Sequence, residues 1–461
     1  MHRKTKHIHF VGIGGIGMSG IAELLANLGY RVTGSDLNRS KITDRLGELG
    51  CSVFKGHDGQ WVEGADVIVA SSAISDNNPE ILAAREQGIP VVMRAEMLAE
   101  LMRLKKYGIA IAGSHGKTST TSMVSWIMAQ AGLDPTIVVG GKVDCLGGNA
   151  KLGEGEFLVA EADESDGSFL KLSPVLEVVT NIDFEHPDFY ADIDQVKEAF
   201  VEFIDKVPFY GAAIICLDDK NIAEGLPRIS KRVITYGLTR QAEVYAENLK
   251  IENGRSRFDA YREGELLGTV ELPQPGKHNV YNSLAAICVG LELEIDFSVI
   301  AEALGSFAGV QRRLELKGVA GNITVVDDYG HHPTEILATL SAVKQAWPDK
   351  RLVVLFQPHR YSRTKGLFSE FQTCFHQADY LVMTDIYAAS EEPIEGIDSL
   401  RLLEKIKQHG QRKTAYIGEV EKLAEAVKDN LMPGDLVLTL GAGNIFRAGE
   451  DLLALLEKVD K

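Results

Sequence analysis

One segment constrains the fold of this chain more than any other. The apolar run Gly108-Ile109-Ala110-Ile111-Ala112 leads directly into Gly113-Ser114-His115-Gly116-Lys117-Thr118-Ser119, and Val124, Ile127 and Met128 follow at helical spacing. A buried strand, a glycine-bearing turn and a helix in that order belong to a parallel α/β layer. The turn has the ending of a phosphate loop, although Ile111 stands where the ordinary loop has its first glycine. What remains suffices for the chemistry. Gly113 and Gly116 turn backbone N–H groups inward, Lys117 reaches the terminal phosphates of ATP, and the Thr118 hydroxyl meets Mg2+ (or Mn2+). Ser114, His115 and Ser119 complete the candidate ATP loop.

At 461 residues the chain is too long for one hydrophobic core, and several domains are expected. The segments His7 to Ile13, Ser19 to Leu28, Arg31 to Ser35 and Val67 to Ala70 alternate strand and helix patterns, which implies a parallel sheet in the first hundred residues. A second unit opens at Tyr107, with further strands at Phe157 to Glu161, Leu176 to Asn181 and Ala212 to Cys216. Between Ala242 and Leu272 short alternating runs with an Asn253-Gly254 turn read as a β-rich insertion. After Val310 the α/β alternation resumes, with strands at Ile323 to Asp327, Arg351 to Phe356, Tyr380 to Thr384 and Asp435 to Leu440. The expected class is α/β in three domains: residues 1–106 Rossmann-like, 107–310 P-loop ATPase-like with the β-rich insertion, and 311–461 Rossmann-like.

The net charge of −17 argues against nucleic acid, whose binding rests on Lys and Arg against phosphates. No apolar stretch approaches the roughly 20 residues of a membrane span. The N-terminal residues Met1 to Lys6 are basic but run straight into a strand pattern without an apolar leader, so a cytoplasmic location is expected. Cysteines at 51, 145, 216, 288 and 374 show no paired spacing, which favours buried, reduced thiols over disulfides or zinc.

Gly12-Ile13-Gly14-Gly15-Ile16-Gly17 follows a strand, precedes a helix and is followed by Asp36 at the end of the next strand. Glycines let a backbone approach a diphosphate, and a helix N-terminus supplies N–H groups and a positive dipole end. Gly12, Gly14, Gly15, Gly17 and Asp36 are therefore candidate ligand contacts, whether the diphosphate belongs to NAD or to a UDP-linked sugar. For Mg2+, oxygen donors are available in Glu161-Ala162-Asp163-Glu164-Ser165-Asp166, and His186 follows the next strand.

These motifs together resemble the Mur ligase family over essentially the whole chain. Carrying the resemblance are the two glycine turns, the 161–166 acidic segment, Asn181-Ile182 with His186, and Gly276-Lys277-His278-Asn279-Val280-Tyr281-Asn282. Asp327-Asp328-Tyr329-Gly330-His331-His332-Pro333 and Phe356-Gln357-Pro358-His359-Arg360-Tyr361-Ser362-Arg363-Thr364 complete the set. Family members commonly have Thr where Ser114 and Ser119 stand. The resemblance implies that ATP activates the carboxylate of UDP-N-acetylmuramate as an acyl phosphate, which the amine of L-alanine then attacks, in peptidoglycan precursor synthesis.

By the same resemblance residues 1–106 would bind the UDP-sugar, and Thr118, Glu161 and His186 would hold the metal. Asn279 and Asn282 would lie by the nucleotide, and Arg312 or Arg313 by the phosphates, two residues that sequence does not separate. Tyr329, His331, His359, Arg360 and Arg363 would hold alanine and the muramyl carboxylate. Lys117, His186 and the arginine pair are the candidate catalytic residues. Some relatives carry a carbamylated lysine; the sequence identifies no equivalent, since Lys197 and Lys206 follow His186 at spacings that do not match. A monomer or homodimer is expected. An NAD-dependent oxidoreductase, a muropeptide-recycling ligase of the same family and a non-catalytic nucleotide sensor remain open as rival readings.

Overall fold

The computed structural model describes residues 5–71, 73–143, 148–186 and 189–459. Its first sheet is made of β1 (His7–Val11), β2 (Arg31–Asp36), β3 (Ser52–Lys55), β4 (Val67–Ala70) and β5 (Val91–Met93), all parallel in the order β3-β2-β1-β4-β5. Every residue of β1 and β4 is buried, because helices cover both faces and a strand buried on both sides has no polar face to show. The order reverses between β1 and β4. Ligands in such sheets sit at the carboxyl end of the strands where the order reverses, and the Gly12–Gly17 turn leaves β1 there.

The second sheet has ten strands: β6 (Tyr107–Ala112), β7 (Thr136–Val143), β8 (Gly148–Lys151), β9 (Phe157–Glu161), β10 (Leu176–Val179), β11 (Ala212–Cys216), β12 (Val233–Gly237), β13 (Val244–Glu252), β14 (Arg255–Arg262) and β15 (Glu265–Leu272). Their order is β15-β14-β13-β12-β11-β10-β6-β9-β7-β8. β6 lies between β9 and β10 and is parallel to both, so the segments leaving all three strands emerge at one edge. These are the phosphate loop, the acidic segment and the stretch to His186. The expected β-rich insertion consists of β13, β14 and β15, but it is not a separate sheet. β13 pairs in parallel with β12 through Tyr236 and Val244 and prolongs the main sheet. Its hairpin carries Asn253 at φ 51° and Gly254 at φ 74°, the left-handed pair that a tight two-residue turn demands.

The third sheet contains β16 (Glu315–Ala320), β17 (Ile323–Asp328), β18 (Leu352–Phe356), β19 (Tyr380–Met383), β20 (Thr414–Tyr416) and β21 (Leu436–Leu440), in the order β16-β17-β21-β18-β19-β20. Only β16 runs antiparallel to its neighbour. One face packs Leu352, Val354, Phe356, Phe371 and Phe375, and the other packs Val325, Val353, Leu355 and Leu452.

The chain divides into two compact units. One holds residues 1–247, 259–270 and 281–308; the other holds 248–258, 271–280 and 309–461. Cys51, Cys216, Cys288 and Cys374 are buried and unpaired, as expected of reduced thiols. Cys145 and the basic N-terminal Met1 to Lys4 lie outside the described residues. No described helix is long and apolar enough to cross a membrane.

Candidate active site

The phosphate loop is shaped by two glycines for different reasons. Gly113 has φ 126°, and a Cβ there would stand 2.1 Å from the Thr180 hydroxyl. Gly116 has φ 83°, caps the helix Lys117–Gln130, and a Cβ there would meet the Asn282 carbonyl oxygen at 2.5 Å. Both positions exclude L side chains on conformation and on space. The loop is pinned from β10 and the stretch beyond it. The His115 N–H donates to Asn181 Oδ1 (2.8 Å), and Asn181 Nδ2 and Thr180 Oγ1 both donate to the His115 carbonyl.

Lys117 Nζ donates to the carbonyls of Gly113 (2.6 Å) and Ser114 (3.1 Å) and to Glu164 Oε1 (2.9 Å). Burial by itself would lower this lysine, but the carboxylates of Glu164, Asp163 and Glu185 outweigh it and hold the ammonium charged. Burial lifts Glu164 to about 7 against the pull of Lys117. Asp163 goes the other way, below the usual carboxylate range, because Lys117 and Arg94 overcome its burial.

Thr118 Oγ1 donates to Glu161 Oε1 (3.2 Å), and Glu161 Oε2 accepts from the Gly140 N–H (2.9 Å). Ligand atoms of Glu164, Glu185 and His186 lie within 4.8 Å of one another. Thr118 and Glu161 are thus in contact, while His186 gathers with Glu164, one of the acidic-segment candidates, and with Glu185, which was not among them. Among the described residues the buried Glu164 Oε2 has no hydrogen-bond partner, and the set is mostly oxygen, which is the donor chemistry that Mg2+ takes. His186 holds φ 60°, a strained backbone for a non-glycine residue.

At the first turn, the N–H groups of Gly12 and Ile13 both donate to the Ser35 carbonyl (2.9 Å each), and the Gly14 N–H donates to Asp36 Oδ2 (2.9 Å). Asp36 therefore shapes the turn. Gly15 is exposed at the N-cap of the helix Ile16–Asn27. A Cβ on Gly17 would touch the Arg94 guanidinium at 3.1 Å, and Arg94 also pairs with Asp163 (3.3 Å). Arg94 thus lies between the Gly12–Gly17 turn and the acidic segment that follows β9. It was not among the expected residues, because the spacing from Gly17 to Arg94 carries no periodic signal.

In the other unit, loops leaving β17, β18 and β21 gather the third group. Arg312, at φ 60°, donates from Nε to Asp327 Oδ2 (3.0 Å), from Nη2 to the Gly441 carbonyl (2.6 Å) and from Nη1 to the Gly443 carbonyl (3.2 Å). It lies over the rings of Tyr329 and Phe446, at 5.1 and 4.7 Å. Arg313 lies over Tyr329 and pairs with Glu335 (3.4 Å). The two arginines, indistinguishable in sequence, are thus separated: Arg312 anchors β17 and β21, and Arg313 faces Glu335.

Tyr329, His331, His359 and Tyr387 form a row with ring centroids 5.4, 5.8 and 5.5 Å apart. Arg363 Nη1 lies 3.1 Å from His359 Nδ1. A guanidinium only donates, so Nδ1 is the acceptor and His359 carries its proton on Nε2. Burial, then His331 and the guanidiniums of Arg363, Arg360 and Arg312, push His359 down to about 3, which keeps it neutral. Arg360 holds φ 67° and faces Glu391 at 4.0 Å. His332 serves the fold, closing the start of the helix Pro333–Ala346 in a capping box with Glu335. Asn279 is half of a local bond, its Nδ2 donating to the Pro275 carbonyl (2.9 Å). Lys197 and Lys206 are engaged in ion pairs with Glu224 (2.7 Å) and Glu202 (3.6 Å).

Models of three domains match the chain in succession: "Mur ligase family, catalytic domain" at 7–106, "Mur ligase middle domain" at 111–290 and "Mur ligase, glutamate ligase domain" at 312–443. The UDP-N-acetylmuramate–L-alanine ligase of Desulfotalea psychrophila is 65% identical over 456 residues, 99% of both chains. The chain belongs to the Mur ligase family. The enzyme of the same name from Geobacter sulfurreducens is 58% identical over 459 residues, again 99% of both. Among solved structures, the UDP-N-acetylmuramate–alanine ligase of Thermotoga maritima superposes with a TM-score of 0.83 at 28% identity, covering 99% of this chain and 100% of that one. A murein peptide ligase from Psychrobacter arcticus shares the fold, with a TM-score of 0.72 at 23% identity over 98% of this chain. As a Mur ligase the chain is an ATP-dependent ligase with three α/β domains. The oxidoreductase and sensor readings end with that membership.

Proposed function

We propose that this Mur ligase joins L-alanine to the carboxylate of UDP-N-acetylmuramate, with ATP cleaved to ADP and phosphate, in cytoplasmic peptidoglycan precursor synthesis. The observation that carries the reading is the 65% identity, over 99% of both chains, to a ligase of that name. Residues 1–106 bind the UDP-sugar through the Gly12–Gly17 turn, 107–310 bind ATP, and 311–461 present the amino acid.

The muramyl carboxylate oxygen attacks the γ-phosphorus, ADP leaves, and the alanine nitrogen then attacks the acyl carbon while phosphate departs with one former carboxylate oxygen. Lys117 leaves the carbonyls of its own loop and Glu164 to meet the transferring phosphoryl group. Thr118, Glu161 and His186 would hold Mg2+, with Glu164 and Glu185 beside His186, and the ion would screen the negative charge of the phosphates. The Gly113–Gly116 backbone and Ser114, His115 and Ser119 cradle the phosphates, with Asn279 and Asn282 near the nucleotide. Arg312 or Arg313 contacts the acyl phosphate, and Tyr329, His331, Arg360 and Arg363 orient the two carboxylates. Neutral His359 offers an N–H to an anionic group.

Phosphate release with UDP-N-acetylmuramate against an amino-acid panel tests the reading. L-Alanine is expected to exceed glycine and serine, the difference of one methylene or hydroxyl being worth ~1 to 3 kcal/mol. It should also exceed the tripeptide L-Ala-γ-D-Glu-meso-diaminopimelate at least tenfold. A preference for the tripeptide would favour the recycling ligase instead.

A further inference from the structure

Behind the Gly12–Gly17 turn lies a buried polar row that the proposed chemistry does not use. Four hydrogen bonds link the Gly64 carbonyl, His7, Thr33, His9 and Glu80 in succession: His7 Nδ1 to Gly64 O (2.8 Å), His7 Nε2 to Thr33 Oγ1 (2.8 Å), Thr33 Oγ1 to His9 Nδ1 (2.7 Å), and His9 Nε2 to Glu80 Oε2 (2.6 Å). His9 and Glu80 are wholly buried. The remaining carboxylate oxygen, Oε1, accepts from Ser35 Oγ (2.8 Å) and from His57 Nδ1 (2.7 Å). Among the described residues no lysine or arginine pairs with Glu80; its ion-pair partners are His9 and His57.

Each hydrogen bond needs one proton. Neutral His7, neutral His9 and Thr33 bring one each, three for the four bonds, so the row holds a fourth. Burial pushes His7 down, with Arg31 and Asp66 acting on it in opposite senses. A carboxylate as deeply buried as Glu80 would be costly without hydrogen-bond donors on both oxygens, and the row supplies them.

The row ends on the ligand turn. Ser35, fixed through its hydroxyl to Glu80, offers the carbonyl on which the Gly12 and Ile13 N–H groups hang. Glu80 is itself held at the start of the helix Pro79–Glu86, its N–H donating to Asn78 Oδ1 (2.9 Å). We propose that Glu80 is a positioning residue for the sugar nucleotide: through its hydrogen bonds with His9, Ser35 and His57, it holds the glycine turn in the shape that receives a diphosphate. The inference rests on the reading of that turn as the diphosphate site.

Titration calorimetry with UDP, together with KM for UDP-N-acetylmuramate and for ATP, tests it on the full-length chain. Glu80→Ala is expected to weaken UDP about tenfold, equivalent to ~1.4 kcal/mol, and to raise the sugar-nucleotide KM in step. The ATP KM and kcat should stay within about twofold. Glu80→Gln should rescue, because its amide N–H supplies the fourth proton to His9 while its oxygen still accepts from Ser35 and His57. Ser35→Ala, which keeps the carbonyl and loses only the hydroxyl, should weaken UDP by roughly threefold, and it decides the matter if Glu80→Ala does not fold. A folded Glu80→Ala or Ser35→Ala with unchanged UDP affinity would overturn the proposal, as would Glu80→Gln as weak as Glu80→Ala. Gly15→Val, which crowds the exposed turn directly, separates the two levels. If it binds UDP normally, the diphosphate reading falls and the inference with it; if it alone loses UDP, only the inference falls.

Discussion

Lys117→Ala is expected to lower kcat by about 10^3-fold or more while the protein stays folded. The size follows from removing a positioned cation from the point where charge accumulates during phosphoryl transfer. The retention of fold follows from what the lysine leaves behind. Glu164 loses its Lys117 partner at 2.9 Å, but burial has already lifted it to about 7, so it takes up a proton instead of remaining a buried, unpaired anion. The other two bonds of Lys117 go to carbonyls of its own loop. Steady-state phosphate release beside a thermal melt separates these effects. A variant with full turnover would contradict the role of the loop, and one that fails to fold would contradict the account of Glu164.

Arg312→Ala should produce the largest loss of stability among the site substitutions, about 3 kcal/mol, because it leaves Asp327 buried with no cation. The same change removes the bonds to the Gly441 and Gly443 carbonyls and the stacking on Tyr329 and Phe446, so β17 and β21 lose their tie. Arg312→Lys should recover only part of it, since an ammonium cannot span the fork. The loss has a pH signature. Burial raises the Asp327 carboxyl, with Arg312 pulling it back, and without Arg312 it rises further. A carboxyl raised in the folded state contributes stability that is present below its ordinary value and lost as pH rises through the folded value. The deficit of the variant should therefore be greater at pH 8 than at pH 5. Urea unfolding at both values checks this, and an equal deficit would contradict it.

What the sequence disclosed follows from how its signals arise. The strands Val67–Ala70, Phe157–Glu161 and Ala212–Cys216 have the bounds read from the sequence, because strands with buried interiors leave a compact apolar record. The phosphate loop was legible because glycine is required at Gly113 and Gly116 by both conformation and space. Other features needed the fold. Arg94 and Glu80 act through distant turns that only the sheet order brings near them, and Tyr387 joins the histidine row by stacking on His359 from another loop. The left-handed backbones of His186, Arg312 and Arg360 leave no trace in residue type, since glycine is the usual choice there. The hairpin at Asn253-Gly254 was readable, whereas its strands' attachment to the main sheet was not, because pairing at a sheet edge depends on β12, not on the hairpin's own residues.

The central claim is that ATP cleavage activates a carboxylate. It is tested most directly by supplying UDP-N-acetylmuramate labelled with 18O in the muramyl carboxylate, together with ATP, Mg2+ and L-alanine, and measuring the label in the released phosphate. The account predicts one 18O atom per phosphate, carried over when the amine displaces the acyl phosphate. Unlabelled phosphate, with all the 18O retained by the sugar nucleotide, would contradict it.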